Sequence, residues 1–382
     1  MNIIILVDYN EHRSKSWNGE TIRTGGVGVS GTEQSFVLIA EQFAKLSKNN
    51  VVFISPTCIP NTSYRGVQYN IPESLKDHVE TTDLLIIQSD NRYFIQYQWP
   101  TLKKLIFWYG SQRLVPIEFL QMFSKLHPNC ELICNTMTDY GENYIKSSTP
   151  YVTVYLNDIF KAGNPLMMDL ISETSQSKEK NSFIFHAGFD RGGHVAYDVF
   201  DRLKLEDKKF YVCGYDTLRK MSLTDGIVSL DSADKSTLFN ALSKAEYFIY
   251  PLVAPSNSPF NNNLPNYVHK DTFGCVIAEA LAHEVIVLTY PVGAVKEIYG
   301  DHLVYLPFPS GANIESLNAY EETFDITLNS EEAISTIVKT VEFLESKPAL
   351  KEIIKKRGRT FTISEFNPDK IFSKWVQFLD RV

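Results

Sequence analysis

The sequence predicts an α/β chain made of two Rossmann-like halves, and three observations carry that prediction. Short apolar runs recur at intervals filled by helix-like spacing. The runs fall into two series with a polar stretch between them. The length, 382 residues, exceeds one ordinary core and fits two domains of roughly 150 to 200 residues each.

The first series is Ile3 to Val7, Val51 to Ser55, Leu84 to Ile87, Leu105 to Trp108 and Leu132 to Cys134. Short, nearly continuous apolar runs separated in this way read as parallel strands covered on both faces by helices. The second series is Phe183 to His186, Phe210 to Cys213, Tyr247 to Tyr250, Val285 to Thr289 and Leu303 to Leu306. Between them, Lys161 to Asn181 turns polar in its second part, where a linker belongs. Glu332 to Leu344 has helical spacing. Pro368 to Val382 carries Ile371, Trp375, Phe378 and Leu379 at spacings of three and four, so it is an amphipathic helix that must dock. The expected domains are 1–165 and 166–364, followed by this helix over 365–382. No internal repeat or low-complexity tract interrupts them.

Composition narrows the function classes. The chain is 44% hydrophobic, 21% charged and 13% aromatic, an ordinary globular profile. Its net charge of −8 comes from interspersed acids and bases, with no basic run to hold nucleic acid. The opening MNIIILV is interrupted by Asp8 and lacks a basic start, so it reads as a buried first strand and not as a signal peptide. No window approaches the roughly 20 apolar residues of a membrane span. The five cysteines are odd in number and sit mostly in apolar runs, as in a reduced cytoplasmic protein. Cys130 and Cys134 have no partner pair at zinc spacing, so no metal site is expected.

The stretch TGGVGVSGTEQ, Thr24 to Gln34, matches the letters of a dinucleotide fingerprint at Gly26, Gly28 and Gly31. That fingerprint works when the glycines directly follow the first strand and an acid about 20 residues on holds the ribose. Here the first strand ends near Asp8, well before Gly25, and the second strand ends in Ser-Pro. Both contextual tests fail, so nicotinamide and flavin are not expected as cofactors. What remains is local: glycines allow positive φ and close approach. Ser30 or Thr32 can cap a helix through Phe36, Ile39, Ala40 and Phe43. The free amides at its start favour an anion. An ordinary surface loop before a capped helix stays open as the alternative.

A second glycine site is more informative. From Cys275 to Ala282 every residue is apolar except Glu279, so a buried helix carries one carboxylate, which needs a partner. A backbone amide or a nearby Lys is the bland partner; a pair of ligand hydroxyls is the sharper one. Asp271 lies eight residues earlier, just ahead of Phe273-Gly274. An acid beside the free amides of a helix start suits a ligand that carries both hydroxyls and phosphate.

At this point the sequence resembles a known group. Asp271, seven residues, Glu279, a strand, and then Val292-Gly293 with Glu297 is similar to the pattern of the retaining glycosyltransferases of family 4, which have the GT-B fold. The order of weaker matches agrees: Gly25 to Gln34 resembles that family's first glycine loop, and Val154 to Phe160 the segment before the linker. Phe183 to Gly193 resembles the strand and phosphate-binding turn that open the second domain, and Phe210 to Asp216 the next strand and turn. The resemblance implies two Rossmann-like domains facing each other across a cleft, with the C-terminal helix crossing back onto the first. It implies sugar transfer from a nucleoside diphosphate sugar to a hydroxyl of a saccharide or glycan, with retention. The chain has no Asp-x-Asp motif, which in this setting points to metal-independent transfer with no further cofactor. The same fold also supports nucleotide-sugar epimerases and binding modules without turnover.

Carried over residue by residue, the resemblance gives Glu279 the ribose hydroxyls and Asp271 those of the transferred sugar. The amides of Phe273, Gly274, Cys275 and Val276 would receive the diphosphate, with Arg191 as its cation, a role suited to a guanidinium. Gly26, Gly28 and Gly188 would approach the donor by backbone. Three features depart from the family: Asp271 is one methylene shorter than the usual Glu. Gly188-Phe189 stands where a second arginine is common, so Lys270 is proposed as the replacement cation. Trp108 to Arg113 stands where a histidine is common. On the acceptor side, Asn91 to Pro100, with Asp90, Trp108 and Arg113, is rich in rings and bases that can meet a sugar, although such stretches also form cores. His186 and His269 divide evenly between packing and ligand contact, whereas His194 and His283 read as structural.

Overall fold

The computed structural model describes residues 1–7, 15–46, 48–88, 93–109, 116–148, 150–172, 177–188, 191–213, 225–231, 233–254, 267–268, 271, 273–310 and 330–381. The chain divides into two compact units, one of Met1–Met167 with Phe366–Val382, the other of Met168–Glu365.

Unit 1 is built on an eight-stranded sheet of β1 (Asn2–Leu6), β2 (Asn50–Ile54), β3 (Thr62–Tyr64), β4 (Val67–Asn70), β5 (Leu84–Gln88), β6 (Lys104–Trp108), β7 (Glu131–Asn135) and β8 (Asp158–Phe160), in the order β3-β4-β2-β1-β5-β6-β7-β8. All pairs are parallel except β3 with β4. The apolar runs explain the central strands: Ile3 pairs with Val51 on one side and Leu84 on the other, so both faces and both edges are covered. The strands β3 and β4, not expected from the sequence, form a hairpin at Arg65-Gly66, where both residues have positive φ. That geometry matches the twist of a two-residue hairpin. Helices α1 (Thr21–Thr24), α2 (Gly31–Lys45), α3 (Ile117–Leu126), α4 (Asp139–Ser148) and α5 (Pro150–Thr153) accompany this sheet.

Unit 2 holds a six-stranded, fully parallel sheet of β9 (Ser182–Phe185), β10 (Lys209–Cys213), β11 (Ile227–Asp231), β12 (Tyr247–Tyr250), β15 (Ile286–Thr289) and β16 (Val304–Tyr305), in the order β11-β10-β9-β12-β15-β16. A separate pair, β13 (Val253–Ala254) and β14 (Tyr267–Val268), is antiparallel. Its helices are α6 (Gly193–Arg202), α7 (Lys235–Lys244), α8 (Cys275–Ala282), α9 (Val295–Tyr299), α10 (Ser330–Glu345) and α11 (Pro348–Glu365). The chain runs outward from β9 through β10 to β11, then returns to place β12 on the other flank of β9. That reversal leaves a crevice at the carboxyl ends of β9 and β12. Among the described residues no helix is long and apolar enough to cross a membrane.

The last helix, α12 (Pro368–Leu379), belongs to unit 1. Its apolar stripe explains this: fully buried Trp375 lies 5.0 Å from Trp108, 4.9 Å from Phe160 and 6.1 Å from Phe43, ring centre to ring centre. Phe378 stacks on Phe160 at 4.2 Å, and Gln42 Nε2 donates to Asp369 Oδ1 at 3.0 Å. The chain therefore leaves unit 1, builds unit 2, and returns to seal the first core. Trp375→Ala removes the centre of this ring cluster and should destabilise unit 1 by about 3 to 5 kcal/mol, read as a lowered urea midpoint for its unfolding.

Candidate active site

The crevice of unit 2 brings together Gly188, Arg191, Asp271 and the start of α8. Directly after β9, the backbone N–H of Arg191 donates to Gly188 O at 3.0 Å, and the Arg191 carbonyl accepts from Leu252 N at 3.0 Å. These two bonds close the turn after β9 onto the segment after β12. They set Arg191 beside Tyr250, the last residue of β12. Arg191 Nη1 donates to the Tyr250 hydroxyl at 3.0 Å and to Asp271 Oδ1, and the Tyr250 hydroxyl donates to Asp271 Oδ2 at 2.6 Å. Asp271 is 6% exposed, and its carbonyl accepts from Ala294 N at 2.9 Å, which ties it to the turn after β15.

Gly274 starts α8 with φ +70, a left-handed conformation that suits glycine. A Cβ there would lie 3.2 Å from Ile277 Cδ1 and 3.3 Å from Asp271 Oδ2, so a side chain would crowd the acid. The Tyr299 hydroxyl, from α9, donates to Gly274 O at 2.9 Å and Phe273 O at 3.2 Å. The helix therefore begins at Cys275 and Val276 without a capping side chain, with its first amides at the same mouth as Asp271.

Glu279 sits deeper in α8 and is 1% exposed. Lys235, the first residue of α7, donates from Nζ to Glu279 Oε1 at 2.5 Å. The bland partner of the sequence reading, a nearby lysine, is thus present. Glu279 Oε2 faces His186 Nε2 at 3.7 Å. Burial first, and Lys235 next, push the His186 imidazole down to about 3, so it is neutral near pH 7. The His186 ring also packs at 4.5 Å on Phe248. His283, at the end of α8, takes up Glu279 O through Nδ1 at 2.8 Å and is structural.

In unit 1, Ser30 is the cap of α2. Glu33 N donates to Ser30 Oγ at 3.3 Å, and Ser30 N donates to Glu33 Oε2 at 2.7 Å, a capping box. Arg23, from α1, forks onto Glu41 of α2 at 3.0 and 2.9 Å in a buried pair. This pair fixes the stem of the glycine loop. Gly26 has φ +72 with open space where a side chain would go, and its carbonyl accepts from Lys15 Nζ at 3.3 Å. Gly28 is half-buried.

One acceptor-side expectation is corrected. Trp108 is 1% exposed and wedged between Phe36 at 4.4 Å and Trp375 at 5.0 Å, which leaves no ring face for a sugar; it is core. Asp90, Arg113, Lys270 and His269 lie outside the described residues. Tyr250 and Lys235 went unmarked in the sequence. Tyr250 looked like one more ring in an apolar strand. Lys235 had a signal, because a cation in the first turn of a helix opposes the dipole.

No protein-family model matches the chain, and no curated protein matches it. Solved structures do. A sucrose-phosphate synthase from Thermosynechococcus elongatus is 12% identical, with a TM-score of 0.65 over 100% of this chain and 99% of that one. A glycosyltransferase from Rickettsia africae is 12% identical, with a TM-score of 0.63 over 99% and 97%. Anabaena HepE, solved with UDP and glucose, is 12% identical, with a TM-score of 0.61 over 100% of both chains. The likeness runs the full length and shows the fold, a GT-B architecture of two parallel-sheet bodies.

Two stability predictions follow from the buried charges. Lys235→Met strands the Glu279 carboxylate and should cost about 3 to 5 kcal/mol, whereas Lys235→Met with Glu279→Leu should recover most of it; urea unfolding of unit 2 measures both. His194 and His283 are also pushed down by burial, each to about 4. Their folded values lie below the ordinary 6.5, so this stability is complete above about pH 6.5 and is lost as pH falls towards 4. The thermal midpoint of unit 2 should drop between pH 6.5 and 4.5, and His283→Asn should lose less across that window.

Proposed function

We propose that this chain is a glycosyltransferase that moves a sugar from a nucleoside diphosphate sugar to a hydroxyl of a saccharide or glycan acceptor, with retention and without a metal. The observation that carries the reading is one mouth in unit 2 where a guanidinium, an acid and the first amides of α8 meet at the carboxyl ends of β9 and β12. Parallel sheets take their ligands at such reversals. HepE, of the same fold, was solved with UDP and glucose, so a uridine diphosphate sugar is the first donor to try.

In this reading Arg191 and the amides of Gly274, Cys275 and Val276 receive the diphosphate. The bond from the anomeric carbon to the phosphate oxygen breaks and its electron pair stays on the phosphate. Charge that develops there is met by donors that the fold already holds in place. The acceptor oxygen bonds to the anomeric carbon and its proton passes to the departing phosphate oxygen. Asp271 holds hydroxyls of the transferred sugar. Glu279 turns Oε2 to the ribose, since Oε1 is engaged by Lys235. Gly188, exposed in the turn after β9, lets backbone approach the donor. Retention rests on the sequence resemblance, and metal independence on the lack of an Asp-x-Asp motif.

Released nucleotide, scored for a panel of uridine and guanosine diphosphate sugars with and without saccharide acceptors, tests the proposal. One donor should be consumed in an acceptor-dependent way. Arg191→Ala and Asp271→Asn should each lower turnover by roughly 10²- to 10³-fold, while Glu279→Gln should chiefly weaken nucleotide binding. Nucleotide binding without any turnover would instead identify a binding module.

A further inference from the structure

Tyr250 closes a ring of three hydrogen bonds. Its hydroxyl accepts from Arg191 and donates to Asp271 Oδ2, while Arg191 holds Asp271 Oδ1. The members differ in freedom. The Arg191 side chain is 32% exposed on a long stem. Tyr250 is fully buried, stacks on Phe248 at 5.0 Å, and sits on a strand paired with Thr289. Its phenol is pushed well above its ordinary range, by burial first, so it keeps its proton and remains a donor.

A diphosphate competes directly for Arg191, because a guanidinium prefers two phosphate oxygens to one carboxylate oxygen and a phenol. Once Arg191 leaves, Asp271 loses its cation and Oδ1 opens. Among the described residues, what still holds that carboxylate is the Tyr250 hydroxyl on Oδ2. We propose that Tyr250 is a positioning residue that hands Asp271 from Arg191 to the sugar, keeping the carboxylate in place once the diphosphate has taken the arginine. This rests on the donor reading above. Unliganded, the ring keeps both charges paired; loaded, it leaves one oxygen of Asp271 aimed and available.

The proposal predicts that two quantities separate. In Tyr250→Phe, Arg191 loses one of its holders, so affinity for UDP should stay level or rise. Asp271 loses its remaining support, so kcat should fall on the order of 10- to 100-fold, the effect of one hydrogen bond to a charged group. Because Tyr250 acts through Asp271, Tyr250→Phe with Asp271→Asn should be no slower than Asp271→Asn alone. The measurements are UDP affinity by calorimetry, kcat with the donor found for the wild-type protein, and the thermal midpoint. The proposal is overturned if the variant keeps wild-type kcat or loses UDP affinity and kcat together. Additive losses in the double variant overturn it as well. So does a variant that does not fold, since a hydroxyl that only positions Asp271 is dispensable for folding. Wild-type protein that binds no nucleoside diphosphate brings down the donor reading and this proposal with it. Wild-type turnover with Tyr250→Phe unaffected brings down this proposal alone.

Discussion

A carboxylate cannot be taken out of water without an opposite charge or a set of donors, and unit 2 buries two of them around one short helix. Asp271 precedes α8 and Glu279 lies within it. Each recruits a cation from a different strand connection: Arg191 from the turn after β9, Lys235 from the start of α7 after β11. The arrangement of the turns at this edge follows from that requirement. Moving either cation would leave a charge in a nearly dry interior, so the loops that carry them cannot drift independently of α8.

Topology supplies the meeting place. In a parallel sheet every strand ends at the same edge, and the chain reversal between β9 and β12 keeps their connections from covering one another there. The glycine at 274 then brings the amides of α8 close to Asp271 where a side chain would intrude. Tyr299 reaches across to hold the two carbonyls that precede the helix. Charge, backbone dipole and steric room are thereby fixed by separate elements, each buried for its own packing reasons.

Central strands were legible in the sequence because both faces are buried, so their apolar runs are nearly unbroken, as in Ile3 to Val7 and Tyr247 to Tyr250. The strands that escaped lie at or next to a sheet edge and lack such runs, whereas the edge strand β16 was legible from Leu303 to Leu306. β3 and β4 expose alternate residues, β8 has three residues, and β11 reads IVSLD. Glu279 stood out as the one acid in an apolar run and Asp271 as an acid just ahead of a glycine and a helix start; Asp271 precedes α8 and Glu279 lies within it. Of their partners Arg191 was marked, but Lys235 and Tyr250 did not stand out, because they are remote in sequence and only the fold brings them near. Trp108 misled for a related reason: an aromatic beside polar residues looks like a ligand platform until a helix from the far end of the chain covers it.

Unit 2 also contains a buried ionic cluster at the opposite end of its strands, and the contrast sharpens the reading of the site. Glu246, just before β12, accepts from Asn181 N at 3.0 Å through one oxygen and from Lys351 at 3.0 Å through the other, with Lys355 3.7 Å away. Lys351 also meets Glu345 at 2.5 Å, which in turn receives the Tyr247 hydroxyl at 2.5 Å. Lys178 nearby donates to Leu242 O and His283 O, the closing carbonyls of two helices. Every oxygen of Glu246 has a close protein donor, and the cluster binds helices α10 and α11 to the sheet. At the other edge Asp271 is held through both oxygens, by Arg191 and Tyr250, whereas among the described residues Glu279 is hydrogen-bonded through Oε1. Among the described residues Glu279 Oε2 faces the neutral His186 at 3.7 Å, and Lys235 places its cation at the wrong end of a helix dipole. A buried pair arranged for stability would resemble the Glu246 cluster. Glu279 differs in one atom: Oε2, with no closer described partner than that imidazole, is the oxygen that the proposed ribose contact would use.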